Sequence, residues 1–185
     1  MTAQQCADVY NNGKKMPLVI LIGASGSGKT TIAKAIEGRY PDRIRVFYFD
    51  RIGVPSAEEM IAEYGSGEGW QRAKTIDWMA KLAEISRSGQ NVLFEGQTRL
   101  SFIEEGAWAA GGTSYVPVLV DCDDETRTKR LQFERNQPEL ANADMMNWAR
   151  YLRVEAEKNC CAILDTSALS LEESVERIVS VFRTI

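Results

Sequence analysis

The chain has 185 residues, 44% of them hydrophobic, enough for one ordinary globular domain with a real core. A net charge of −4 supplies no basic field to hold a polynucleotide by counterion release, which disfavours nucleic-acid substrates. There is no histidine, and the four cysteines (Cys6, Cys122, Cys160 and Cys161) show no CxxC spacing. Zinc sites, Cys–His nucleophiles and Ser-His-Asp triads are therefore excluded, and Cys160 and Cys161, at the mouth of an apolar run, read as small buried side chains of a reducing compartment.

Residues 1–16 are polar and read as a loose or helical extension, with Met16-Pro17 marking the entry to the first strand. Strands are expected at Leu18–Ile22, Ile44–Phe49, Asn91–Phe94, Tyr115–Val120 and Cys161–Leu164, all near-continuous apolar runs of the kind buried on both faces of a parallel sheet. Helical patterns lie between them at Thr30–Glu37, Ala57–Tyr64, Trp70–Ser88, Ser101–Ala110, Asp124–Arg135, Ala141–Lys158 and Leu171–Phe182. Ser56 and Glu59 fit a capping box at the start of the second. Strand alternating with helix at this spacing predicts a single three-layer α/β domain with a five-stranded parallel sheet. The apolar runs fall far short of the roughly 20 residues of a membrane span, and the N-terminus lacks the layout of a signal peptide. A cytoplasmic protein with no membrane partner is the expectation, and the oligomeric state is left open.

The first strand runs directly into Gly23-Ala24-Ser25-Gly26-Ser27-Gly28-Lys29-Thr30, which satisfies the Walker A pattern GxxxxGKT. Between a strand and a helix, such a turn can aim successive backbone N–H groups at phosphate oxygens with no Cβ in the way. Gly23, Ser25, Gly26, Ser27, Gly28 and Thr31 are the expected cradle. Lys29 adds a point charge for the β- and γ-phosphates, Thr30 a hydroxyl for Mg²⁺, and the following helix its positive dipole end. ATP and Mg²⁺ are the cofactors this implies.

Four strands end in an acid: Asp50, Glu95, Asp121 and Asp165. In an open parallel sheet these ends share the edge that carries the phosphate loop. Asp121 and Asp165 read first as caps of the helix or turn beyond each strand. Glu95 has the generic Walker B layout and is assigned to the metal, with acceptor binding as the rival role. Asp50 is assigned to the acceptor hydroxyl as its general base.

These features, with a late arginine-rich segment, resemble the small-molecule P-loop kinases related to nucleoside monophosphate, shikimate, gluconate and chloramphenicol kinases. The resemblance implies sheet order 2-3-1-4-5, with Glu95 on the strand beside the phosphate loop, and an Asp50 that contacts the acceptor. It implies that Arg130 stacks on adenine, that Arg135 reaches phosphate from a short lid at about 134–142, and that 165–168 forms the adenine-side loop. Arg150 and Arg153, one helical turn apart, read either as stabilisers of the transferring phosphoryl group or as a solvated face paired with Glu155 and Glu157. The segment 136–142 is short and lacks the dense arginines of an adenylate-kinase lid. No triple glycine favours shikimate, and no Asn-Lys-x-Asp motif favours a GTPase.

The acceptor side is expected at about 51–90 plus Gln97–Phe102, with Arg51, Trp70, Gln97 and Arg99 as substrate contacts. Tyr64–Trp70 reads as a flexible glycine loop closed by an aromatic. Trp70, Trp78 and Trp108 are candidates for stacking on a planar ring, with Trp78 read rather as core. The expected protein is an ATP- and Mg²⁺-dependent phosphotransferase acting on a small molecule. The alternatives are a nucleoside or nucleotide kinase and an ATP-binding regulatory protein with slow hydrolysis.

Overall fold

The computed structural model describes residues 18–183, so the extension expected over 1–16, and Cys6 with it, lies outside the described residues. Five parallel strands form one sheet: β1 (Leu18–Ile22), β2 (Ile44–Tyr48), β3 (Asn91–Gly96), β4 (Val116–Asp121) and β5 (Ala162–Asp165). Their order is β2-β3-β1-β4-β5, as the resemblance implies. The helices are α1 (Lys29–Arg39), α2 (Ala57–Tyr64), α3 (Gly67–Arg87), α4 (Leu100–Ala109), α5 (Asp124–Lys129), α6 (Ala143–Lys158) and α7 (Leu171–Arg183).

The unbroken apolar strands are explained by two cores, one on each face of the sheet. In β1, Leu18, Ile20 and Ile22 point to one side and pack with Met79 and Leu82 of α3, Ile103 of α4 and Leu152 of α6. Val19 and Leu21 point to the other and pack with Ile32 and Ile36 of α1 and Val175 and Ile178 of α7. All five β1 residues are fully buried. Strand side chains alternate faces, so only an apolar residue at every position fits a sheet covered on both sides. No helix among the described residues is long and apolar enough to cross a membrane.

Three expectations shift at element ends. Glu95, Asp121 and Asp165 lie inside their strands, hydrogen-bonded in register, because backbone pairing continues past the last apolar side chain. The helix expected over Asp124–Arg135 is regular only to Lys129 and then opens into one π turn, Arg130–Glu134, with the Arg135 N–H donating to the Arg130 carbonyl at 2.9 Å. The glycine loop expected over Tyr64–Trp70 is mostly helix. Ser66 caps α3 by accepting from the Gly69 N–H at 3.0 Å, and a Cβ on Gly69 would collide with the Tyr64 carbonyl oxygen. Those glycines let two helices meet closely and leave Gly65 and Ser66 as the only link.

The capping box of Ser56 and Glu59 is present, with the Glu59 N–H donating to Ser56 Oγ at 3.2 Å and the Ser56 N–H to Glu59 Oε2 at 2.8 Å. No residue of α2 is fully buried. Met60 and Tyr64 lean on the core, while Ile61 is 61% exposed. Cys122 and Cys161 are buried and Cys160 is half-buried.

Candidate active site

The phosphate loop sits where the chain leaves the central strand β1, at the carboxyl edge of the sheet. Helix α1 starts at Lys29 behind Gly28, which is left-handed (φ 95°) and makes no side-chain cap, and its first turn holds no acid. In α2, α3, α5, α6 and α7 the first turn carries Asp or Glu. The free N–H groups and dipole end of α1 are thus left for an anion from outside.

The loop is held from behind. Arg127, fully buried, donates to the Ser25 carbonyl at 2.9 Å, and Arg130 Nη1 to the Gly26 and Ser27 carbonyls at 3.4 and 3.3 Å. Thr166 Oγ1 also donates to Ser27 O, at 2.9 Å, and accepts from Arg130 Nη1 at 2.9 Å. In a trans peptide the N–H points opposite to the carbonyl. Fastening Ser25 O and Ser27 O at the back therefore turns the N–H groups of Gly26 and Gly28 to the front. Gly26 has φ 79°, and a Cβ there would lie 3.0 Å from Arg127 Cγ and 3.1 Å from Leu131 Cγ. Gly26→Ala is expected to cost about 1–2 kcal/mol in that conformation. It should weaken ATP binding roughly tenfold by calorimetry, and unchanged binding would show that the loop relaxes freely.

In front of the loop, Thr30 Oγ1 bonds both oxygens of Glu95, at 3.2 Å each. Lys29 and Glu95 are both buried. Burial lowers the Lys29 ammonium from its ordinary range, and the negative charges of Glu95 and Asp50 partly offset it. Burial likewise raises the Glu95 carboxyl, opposed by Lys29 and by the Thr30 hydrogen bond. Asp50 is exposed in the 3₁₀ turn Phe49–Ile52 that follows β2. That turn is fastened to α1: Tyr48 donates to Glu37 at 2.7 Å, and Arg51 lies over the Tyr48 ring at 4.3 Å and 3.6 Å from Glu37. A cleft of about 60 Å³ lies at the loop, lined by Gly26, Gly28, Lys29, Thr30, Thr31, Arg130, Glu134 and Arg135. The roomier cavity, about 560 Å³, lies under α2 between the Ile52–Pro55 segment and α3, with Trp70, Trp78 and Tyr64 in its walls. The small cleft has the anion-binding chemistry.

Ser25 Oγ donates to Gln97 Oε1 at 3.3 Å, and Gln71 reaches the Gln97 carbonyl at 2.7 Å, so the loop after β3 touches the phosphate loop directly. Trp70 packs edge-on against Phe49, 5.6 Å between centroids. Trp78 is buried, as expected of a core residue. Trp108 sits 81% exposed at the far end of α4, outside the cavity, because α4 starts at the Gln97 loop and runs away from it.

The arginines divide by partner. Arg127 Nη2 and Arg153 Nη1 both donate to Asp121, at 2.5 and 2.8 Å, and Arg153 also lies 3.5 Å from Glu157. Asp121 is therefore an ion-pair hub, while Asp123 caps α5 by accepting from the Thr126 N–H at 2.7 Å. Asp165 does hold the turn after it, accepting from the Ser167 N–H and hydroxyl at 2.9 and 2.6 Å. Arg150 is exposed and bonds Asn147. Arg135 is exposed at the cleft, and its charge acts on both Lys29 and Glu95. Arg127, Asp121 and Thr166 support the loop from behind, an arrangement that the motif alone does not reveal.

A family model described as an AAA domain matches residues 19–159. No curated protein matches the chain. Similar solved structures include a shikimate kinase from Acinetobacter baumannii in complex with shikimate, 14% identical over 96% of this chain and 97% of its own, with a TM-score of 0.61. A sugar kinase from Janibacter sp. is 19% identical over 89% and 93%, TM-score 0.63, and a gluconokinase from Sinorhizobium meliloti 17% over 92% and 94%, TM-score 0.60. At these identities the likeness establishes a shared fold.

Proposed function

Because the chain belongs to the AAA domain family, and the matched region holds the phosphate loop and both flanking acids, we propose that it is a cytoplasmic ATP- and Mg²⁺-dependent kinase acting on a small-molecule hydroxyl or phosphate. The observation that carries this reading is the Thr30–Glu95 pair beside buried Lys29, at the end of the phosphate loop. Mg²⁺-ATP, when bound, supplies the transferable phosphoryl group and part of the charge that neutralises it. Gly23 to Thr31 would hold the triphosphate, with Lys29 and Arg135 stabilising charge on the transferring group. Thr30 and Glu95 are the oxygen donors for the cation. Among the described residues no group of three or more carboxylates or cysteines gathers at one point, so phosphate and water would complete the coordination.

Asp50, exposed at the mouth, orients the acceptor hydroxyl and takes its proton. Arg51, Trp70, Gln97 and Arg99 lie on the acceptor side. Arg130, bridging the loop and Thr166, borders the adenine end of the cleft. Two other readings each have one observation in their favour. The aromatic cavity suits a nucleoside acceptor, and the arginine-free segment 136–142 suits a regulatory ATP-binding protein.

The test is Mg²⁺-dependent ATP consumption against nucleosides, nucleoside monophosphates, sugars, sugar acids and antibiotic-like alcohols. Asp50→Asn is expected to lower acceptor-dependent turnover about 10²–10⁴-fold with ATP binding retained. Tight ATP binding with no acceptor-dependent turnover would favour the regulatory reading, and turnover of nucleosides alone the nucleoside kinase.

A further inference from the structure

We propose that Arg153 is a positioning residue for the phosphate loop: by occupying one oxygen of Asp121, it keeps Arg127 turned toward the Ser25 carbonyl and the loop in the shape that takes a nucleotide. This rests on the nucleotide-binding part of the reading above and needs no acceptor. Arg153 is not among the residues that line the cleft, so its role is neither of the two that the sequence suggests, a phosphoryl contact or a solvated charge.

Three links run from the surface of α6 to the loop. Arg153 Nη1 donates to Asp121 Oδ2 at 2.8 Å, Arg127 Nη2 to Asp121 Oδ1 at 2.5 Å, and Arg127 Nη1 to Ser25 O at 2.9 Å. Exposure rises outward: the Arg127 side chain is closed to water, that of Asp121 is 7% exposed and that of Arg153 41%. The outer end is held in turn. Glu157, on the same helix, lies 3.5 Å from Arg153 Nε, and Asp165, the register partner of Asp121, lies 4.0 Å from Nη1.

The outer link matters because of the way Asp121 is shared. Arginine and carboxylate pair best as two forks, with two parallel N–H···O bonds. Asp121 instead gives one oxygen to each arginine, and Arg127 Nε is buried without a partner. Released by Arg153, Asp121 would have a free oxygen facing a guanidinium with an unused donor. Rotation into the forked pair would satisfy both and draw Arg127 Nη1 off Ser25 O. The peptide between Ser25 and Gly26 would then lose its anchor, while the buried ion pair survives. Ser27 stays fastened through Arg130 and Thr166, so the loss is partial.

The experiment is calorimetry of the full chain with Mg²⁺-ATP and with Mg²⁺-ADP, beside a thermal melt. Arg153→Gln should weaken both nucleotides alike, about fivefold, because the loop cradles phosphates that the two share, and should move the melting temperature by no more than a few degrees. Arg153→Lys, which cannot reproduce the guanidinium fork, should fall between the parent and Arg153→Gln. In the double variant Asp121→Leu, Arg127→Met, adding Arg153→Gln should change nothing further, since the links it acts through are gone. A loss confined to ATP, or one that persists in that background, would make Arg153 a direct phosphate contact and overturn the proposal. Should Arg153→Gln fail to fold, Arg153→Met is read by the same ratios. A parent that binds both nucleotides with Arg153 indifferent defeats this proposal alone, whereas a parent that binds neither defeats the kinase reading with it.

Discussion

Lys29→Met is expected to lower phosphoryl transfer about 10³-fold or more while changing the melting temperature by only a few degrees. The loss of rate comes from position. Lys29 is buried at the first turn of α1, and a fixed charge in a water-poor site acts on developing phosphoryl charge far more strongly than in solvent. One neutral donor aimed at a transition state already contributes about 10²–10³ in rate, and a full charge contributes more. Stability responds little because opposing effects meet. Methionine has no charge to desolvate, whereas Glu95 loses an attractive neighbour and keeps Thr30. A residue of about 1 kcal/mol corresponds to roughly 2–4 °C in a domain of this size. Acceptor-dependent ATP consumption and a thermal melt on the same sample check both parts. A variant retaining a tenth of the parent rate would remove Lys29 from the chemistry, and one that does not fold would make it a structural residue.

Asp121→Ala should destabilise the chain by about 3–5 kcal/mol, because it strips Arg127 of its counter-charge in a place closed to water. Arg127 is fully buried, and without Asp121 it keeps only the carbonyls of Ser25 and Cys122, at 2.9 and 3.1 Å. Carbonyl dipoles do not neutralise a buried cation. The melting temperature should fall by roughly 6–20 °C. Urea unfolding is the measurement, with Asp121→Leu combined with Arg127→Met as its partner. Removing both charges leaves no unpaired buried ion at this position, and the double variant should recover most of the loss. It should still bind ATP weakly, since nothing then holds Ser25 O from behind. If Asp121→Ala melts with the parent, the pair contributes no net stability and the phosphate loop stands without it.

The parts legible in the sequence are those whose cause is local. Leu18 to Gly28 reads correctly, with the helix starting at Lys29, one residue earlier than expected, because the strand, the glycines and the helix start each act on their own neighbours. The capping box at Ser56 and Glu59 is local in the same way. Strand ends are less legible where the last paired residues are not apolar side chains, as at Glu95-Gly96 and Asp121, since apolar patterning stops before backbone pairing does. The π turn at Arg130–Glu134 has no composition of its own. Around the site, the phosphate loop and Glu95 are legible from motif and strand, but Asp121 meets partners 6 and 32 residues away, and Arg99 meets rings on a helix some 50 residues on. Only tertiary packing brings such groups together. Sheet order comes from family likeness and not from the residues.

The helix α2, which buries none of its residues fully, carries a consequence for how this scaffold changes over time. Mutations usually persist or vanish according to what they cost the core, and here that filter is weak: outside Met60 and Tyr64, substitutions along Ala57–Tyr64 remove little packed area, and none disturbs sheet pairing. The exposed residues of α2 beside the roomy cavity can therefore vary with little effect on foldability, while buried Trp70 and Trp78 in its walls and the phosphate loop, pinned by Arg127 and Thr166, cannot. Under the proposed kinase reading, the part that handles phosphate is the one fixed by packing and ion pairs and the helix nearest the acceptor is lightly packed, so changes of specificity there would cost little stability.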